Sequence, residues 1–175
     1  SAELELEAQE QLRKVMEAYT AGDIERAKVL LEEMDQKYTK TRSYRRAERL
    51  SQEIALFGVE APETLSVEEW FIGNEDSIDL GDGVTILIFW EVWCPHCKRE
   101  VPSLQETYNK YEASGLDIVG FTKLSRSKTK EEAMEFLQVN GVTYPIAKET
   151  GKLSEFFNVS GIPACAVVKD GTVVW

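Results

Sequence analysis

Two cysteines, Cys94 and Cys97, flank Pro95 and His96 directly after the apolar run Val84-Thr85-Ile86-Leu87-Ile88-Phe89-Trp90. The run reads as a strand buried on both faces, and the residues after the cysteines read as a helix. A thiol at the start of a helix meets unsatisfied backbone N–H groups and the positive end of the helix dipole, both of which favour thiolate over thiol. Thiolate is the species that attacks disulfides, so these residues offer thiol–disulfide exchange. Zinc ribbons use the same spacing, but structural zinc takes four Cys or His ligands, and besides the pair this chain offers only His96 and Cys165. His96 lies between the two cysteines, so the three do not readily point at one ion. Neither a metal nor an organic cofactor is expected. A thiol peroxidase would need a Thr-x-x-Cys setting, which Ile86 to Trp93 does not supply.

The elements that must position this pair follow from periodicity. Ser77 to Leu80 reads as a short strand, Gly81-Asp82-Gly83 as a turn and Val84 to Trp90 as a buried strand. A helix is expected from Cys97 to about Ala113, a strand over Leu116 to Thr122 and a helix over Lys130 to Asn140. Strands over Ala164 to Val168 and Thr172 to Trp175 flank the turn Lys169-Asp170-Gly171. Strand, helix, strand and then a hairpin of strands imply an α/β sandwich with a mixed sheet.

Residues 1–58 read differently, as a small all-helical unit. Leu12, Val15, Met16 and Tyr19 form one stripe; Ile24, Ala27, Leu30, Leu31, Met34 and Tyr38 a second; Tyr44, Ala47, Leu50, Ile54 and Phe57 a third. Asp23 stands as an N-cap after Gly22, and Thr39 to Ser43 is a polar break. Ala18 to Ala47 resembles a single tetratricopeptide-type hairpin, and a lone repeat rarely buries its face without neighbours. Two readings stay open: a helical appendage packed on the second domain, or a module for self-association or partner docking. Gly58 to Thr64, containing Ala61-Pro62, reads as the linker to a domain over 59–175.

A formal charge of −11 and a pI near 4.7 argue against nucleic acid or anionic lipid as partners, because binding phosphates needs clustered Lys and Arg. No window approaches the roughly 18 to 20 apolar residues of a membrane span, and Ser1 to Glu10 is acidic, unlike a signal peptide. A mature exported protein whose leader had been removed would look the same. Three cysteines are too few for a disulfide-stapled scaffold.

From about Ala61 onward the chain resembles thioredoxin-fold proteins of the TlpA and ResA type, exported thiol–disulfide oxidoreductases. The resemblance rests on Phe89-Trp90, Trp93-Cys94-Pro95-His96-Cys97, Glu100, Pro102, Gly151, Phe157-Asn158-Val159-Ser160-Gly161-Ile162-Pro163 and Asp170-Gly171. It implies a thioredoxin-like sandwich and an exported or periplasmic location with the leader absent from this chain, the residues themselves leaving a cytoplasmic one open. It also implies protein thiol or disulfide substrates with a redox partner protein. In that family the sheet is followed by a last helix, whereas this chain stops at Trp175 straight after the final strand pattern, so a C-terminal helix is expected to be missing.

The same resemblance makes Cys94 the more exposed nucleophile and Cys97 the resolving thiol, with Trp93 packed beside them and Ile162-Pro163 as a cis-proline loop whose backbone edge an extended substrate can join. Pro95 and His96 tune the thiolate. Pro-His is the pair found in the strong oxidant DsbA, whereas the surrounding sequence matches a group in which many members are reductants, so the direction of electron flow stays open. Glu100 matches a ResA-type acid that assists proton transfer, with an exposed helix carboxylate as the competing reading. Thioredoxin's buried Asp, six residues before the first cysteine, is replaced by Ile88; Glu91 either substitutes for it or merely closes the strand. Cys165 is expected to fill core volume. Set against the enzyme reading is a redox-sensing scaffold whose helical unit docks partners.

Overall fold

A computed structural model describes residues 1–175. It divides into two compact units, Ser1–Phe57 and Gly58–Trp175.

The first unit is three helices, α1 (Ala2–Thr20), α2 (Ile24–Lys37) and α3 (Arg42–Ile54). Each begins where a side-chain oxygen of Ser1, Asp23 or Thr41 accepts an otherwise orphaned backbone N–H, from Leu4, Arg26 and Tyr44 respectively. Their apolar stripes close on one another in a core that includes Ala8, Val15, Ala27, Met34, Ala47 and Ile54. Met16, counted in the first stripe from sequence, is instead 40% exposed; Ala8 and Ala18 take the inward positions beside Leu12 and Val15. The Glu5 carboxylate ties α1 to the start of α3 by accepting from Arg42 N, Ser43 N and the Ser43 hydroxyl, and these bonds lower its pKa. No helix of the protein is long and apolar enough to cross a membrane.

The second unit is a six-stranded mixed sheet with helices. Its elements are β1 (Val67–Ile72), β2 (Val84–Phe89), α4 (Pro95–Tyr111), β3 (Leu116–Thr122), α5 (Lys130–Val139), β4 (Ile146–Glu149), α6 (Lys152–Phe156), β5 (Ala164–Lys169) and β6 (Thr172–Val173). The strand order is β1-β4-β3-β2-β5-β6. The central pairs β2/β3 and β3/β4 are parallel; β5 runs antiparallel to β2, as do β6 to β5 and β1 to β4. This is the expected mixed sandwich, and four of its elements needed correction. Ser77 to Leu80 is not a strand: Ser77 ends a 3-10 turn capped by Asn74, whose side chain accepts from Asp76 N. The strand on that side is β1, which the sequence reading missed together with β4 and the five-residue α6.

The core behind the cysteines includes Ile88, Trp90, Cys97, Val101, Ile118 and Tyr144, all at most 1% exposed. Gly120 lies against Ile146 and Trp90: a Cβ there would stand 2.6 Å from Ile146 Cδ1 and 3.2 Å from Trp90 Nε1, so the Ile146 side chain would have to shift. The Tyr144 hydroxyl donates to the Val101 carbonyl at 2.8 Å, joining the loop before β4 to α4.

Candidate active site

β2 ends at Phe89 and the chain turns through Glu91, Val92 and Trp93 into α4, with Cys94 as N-cap. Pro95 at the first helical position costs no hydrogen bond, since that N–H has no partner within the helix anyway. In place of the usual hydroxyl or carboxylate, the Cys94 sulfur accepts the Cys97 N–H at 3.4 Å. The Cys94 thiol also lies 3.8 Å from the Ile162 carbonyl oxygen, to which it donates. The Ile162–Pro163 peptide bond is cis. The cysteine pair and the loop before β5, 68 positions apart in sequence, therefore meet at one sulfur.

Cys94 is 4% exposed and Cys97 0%. Burial, reinforced by the adjoining Cys94 thiol and the nearby Glu91 charge, pushes the Cys97 thiol up to about 12. Cys165 is half-buried against the same core, and burial with the charge of Glu100 raises it to about 11. Both thiols thus lie above the unfolded value of about 8.5. Unfolded chains lose those protons first, so this contribution to stability is complete below about pH 8.5 and is lost as pH rises toward 11 to 12. At pH 8 a group titrating near 12 is thiolate only at about one part in ten thousand. Iodoacetamide at pH 8 is therefore expected to label Cys94 alone in the folded, reduced protein. Peptide mass mapping that finds Cys97 or Cys165 labelled as fast as Cys94 would contradict this.

Glu91 lies behind the pair and is 4% exposed. Its carboxylate accepts from the Thr122 hydroxyl and Lys123 N on one oxygen, and from Ser125 N and the Ser125 hydroxyl on the other. The parallel register Phe89↔Phe121 carries Glu91 to the end of β3. Trp93, half-buried, donates its indole N–H to Ser125 Oγ at 2.9 Å.

The remaining residues singled out from sequence fall at differing places. Pro95 and His96 are exposed at the helix start, and His96 Nδ1 accepts from the Arg99 guanidinium. Glu100 is also exposed; its charge acts on Cys165 and Tyr144, whereas the carboxylate that acts on Cys97 is Glu91. Trp93, Ile162 and Pro163 are brought to the cysteine side, and Trp93 and Ile162 line a cleft of about 200 Å³ shared with Phe89, Phe121, Lys123 and Val159. Sequence reasoning missed Lys123, Ser125 and Arg126. The one signal that bore on them was an acidic residue, Glu91, at the inner end of a buried strand.

A model of the AhpC/TSA family matches residues 58–175. The chain is 27% identical over 99 residues to sporulation thiol-disulfide oxidoreductase A of Bacillus subtilis (strain 168), covering 56% of this chain and 60% of that protein. It is 33% identical over 96 residues to the thiol-disulfide oxidoreductase ResA of Bacillus thuringiensis (strain Al Hakam), covering 54% of this chain and 53% of that one. The chain thus spans between half and three fifths of the length of these curated relatives. The crystal structure of StoA from Bacillus subtilis superposes with a TM-score of 0.52 at 25% identity, over 64% of this chain and 87% of that one.

Proposed function

The chain belongs to the AhpC/TSA family, with a thioredoxin-like domain like that of the ResA and StoA oxidoreductases, and from that premise we propose that it exchanges disulfides with protein substrates. The observation that carries this reading is a single sulfur, Cys94 Sγ, placed at a helix start against both the Cys97 N–H and the Ile162 carbonyl. Position 91 holds Glu where a Thr-x-x-Cys peroxidase site would hold Thr, which favours disulfide exchange over peroxide chemistry.

In the proposed cycle the Cys94 thiolate attacks one sulfur of a substrate disulfide. A mixed disulfide forms and the other substrate sulfur leaves as a thiolate that takes up a proton. Cys97 then loses its proton and attacks Cys94 Sγ; the second substrate thiol leaves and the Cys94–Cys97 disulfide remains. Two electrons pass to the substrate, and the reverse sequence oxidises a dithiol. Pro95 and His96 set how well the first thiolate is held, and Trp93, Ile162 and Pro163 contact the substrate, whose extended chain pairs with the backbone beside Pro163. Glu91, buried behind the pair, is the carboxylate placed to couple to the Cys97 proton, whereas Glu100 stands exposed on the helix. The protein works in an exported or periplasmic setting with a redox partner.

The test is to trap the intermediate. With Cys97→Ser, incubation with a disulfide-bonded protein such as insulin should yield a covalent adduct at Cys94 that dithiothreitol dissolves. If no adduct forms with the reduced variant, the reading fails. The reduction potential of the wild-type protein then gives the direction: near about −120 mV it oxidises its substrates, near about −270 mV it reduces them.

A further inference from the structure

The chain is acidic overall at −11, yet two segments beside Cys94 are basic. Lys98 and Arg99 lie in the first turns of α4, and Lys123 and Arg126 lie in the loop after β3. All four are exposed, and none takes part in the ion pairs that the protein makes between its carboxylates and amines or guanidiniums. Three of the neighbouring acids are otherwise engaged, while Glu100 beside Arg99 is exposed and makes no ion pair. Glu91 is buried under the loop, Glu132 accepts from Thr129 and faces Lys128, and Glu149 accepts from Gly151 and Ser154. Glu135 shares a shallow hollow with Lys98 without pairing to it.

The loop is built rather than incidental. Leu124, Arg126 and Ser127 all hold positive φ, at 54°, 57° and 57°, a conformation that residues with side chains adopt only at a cost. The Glu91 carboxylate offsets that cost by gathering Lys123 N, Ser125 N and the Ser125 hydroxyl, and the indole of Trp93 adds its own bond to Ser125. Arg126 is thereby laid over the Trp93 ring with its guanidinium carbon 3.5 Å from the centroid. Stacking uses the flat face of the guanidinium and leaves its N–H edge free to fork a carboxylate.

We propose that Arg126 and Lys123, on the loop held beside Trp93 and Cys94, form a carboxylate-recognition rim that selects protein disulfides flanked by Asp or Glu. This rests on the disulfide-exchange reading and deepens it by naming the substrate class. Residues one to three positions from the reacting cysteine of an extended substrate lie within about 10 Å of it, the range over which such charges act in physiological salt.

The experiment uses two peptides with the same intramolecular disulfide, flanked by Glu in one and Lys in the other, and 2-hydroxyethyl disulfide as an uncharged probe. The reduced wild-type protein should react about tenfold faster with the Glu peptide at low ionic strength, the ratio falling below about threefold in 0.5 M salt. Lys123→Gln/Arg126→Gln should bring the ratio near one, and Lys123→Glu/Arg126→Glu should invert it; a ratio within one protein is unaffected by partial loss of folded material. Equal peptide rates alongside clear reaction with 2-hydroxyethyl disulfide would overturn the rim and leave disulfide exchange standing. No reaction with any of the three would overturn disulfide exchange itself.

Discussion

Replacing Cys94 with Ala should lower the rate of disulfide exchange by on the order of a thousandfold or more, to the level of the uncatalysed reaction, because no other thiol can take over the first attack. Cys97 is wholly buried, so desolvation still disfavours its thiolate when the Cys94 thiol that adds to the shift is gone, and Cys165 is half-buried and raised to about 11; neither offers an accessible thiolate at neutral pH. Cys165→Ala should stay within about twofold of wild type, as that thiol packs against the core and enters no step of the cycle. Insulin reduction followed by turbidity would measure all three proteins. If Cys94→Ala retained a tenth of the wild-type rate, the assignment of the nucleophile would be wrong.

Glu91→Ala should lower the stability of the reduced protein by about 3 kcal/mol, a large effect for one side chain. It removes the acceptor from two hydroxyls and two backbone N–H groups at once, and leaving buried donors unpaired costs about 1 to 3 kcal/mol each before water or local rearrangement recovers part of it. Glu91→Gln should fall between wild type and Glu91→Ala. The amide keeps one acceptor oxygen but turns an NH2 toward groups that are themselves donors. Chemical denaturation of the three proteins under reducing conditions checks this, and a Glu91→Ala protein within about 0.5 kcal/mol of wild type would refute it. Loss of the clamp should also release Trp93, since its partner Ser125 is held by the same carboxylate; tryptophan fluorescence of the folded variants would report that separately from stability.

These expectations draw on different levels of information. The strand before the cysteines and the helix after them were legible from a continuous apolar run and a 3.6-residue period, both local signals, although the helix begins at Pro95, two residues before the expected Cys97. β3 over Leu116–Thr122 was legible for the same reason. β1 was not, because Val67-Glu68-Glu69-Trp70-Phe71-Ile72 breaks alternation and its pairing with β4 is irregular in register. β4 has four residues and α6 five, lengths at which local preference is weaker than the tertiary contacts that hold them.

By itself the sequence determined that two thiols stand at a strand-to-helix junction, and through its resemblance it marked Ile162 and Pro163 as the loop to look for. Only the tertiary structure decided which groups surround the sulfurs. Glu91 meets Thr122, Lys123 and Ser125 across 31 to 34 positions, and Cys94 meets Ile162 across 68. Those meetings depend on β2 pairing in parallel with β3 and antiparallel with β5. Element type is set by the energetics of neighbouring residues, whereas the partner of a buried carboxylate or a thiol is set by strand order and register, which no short window of sequence contains.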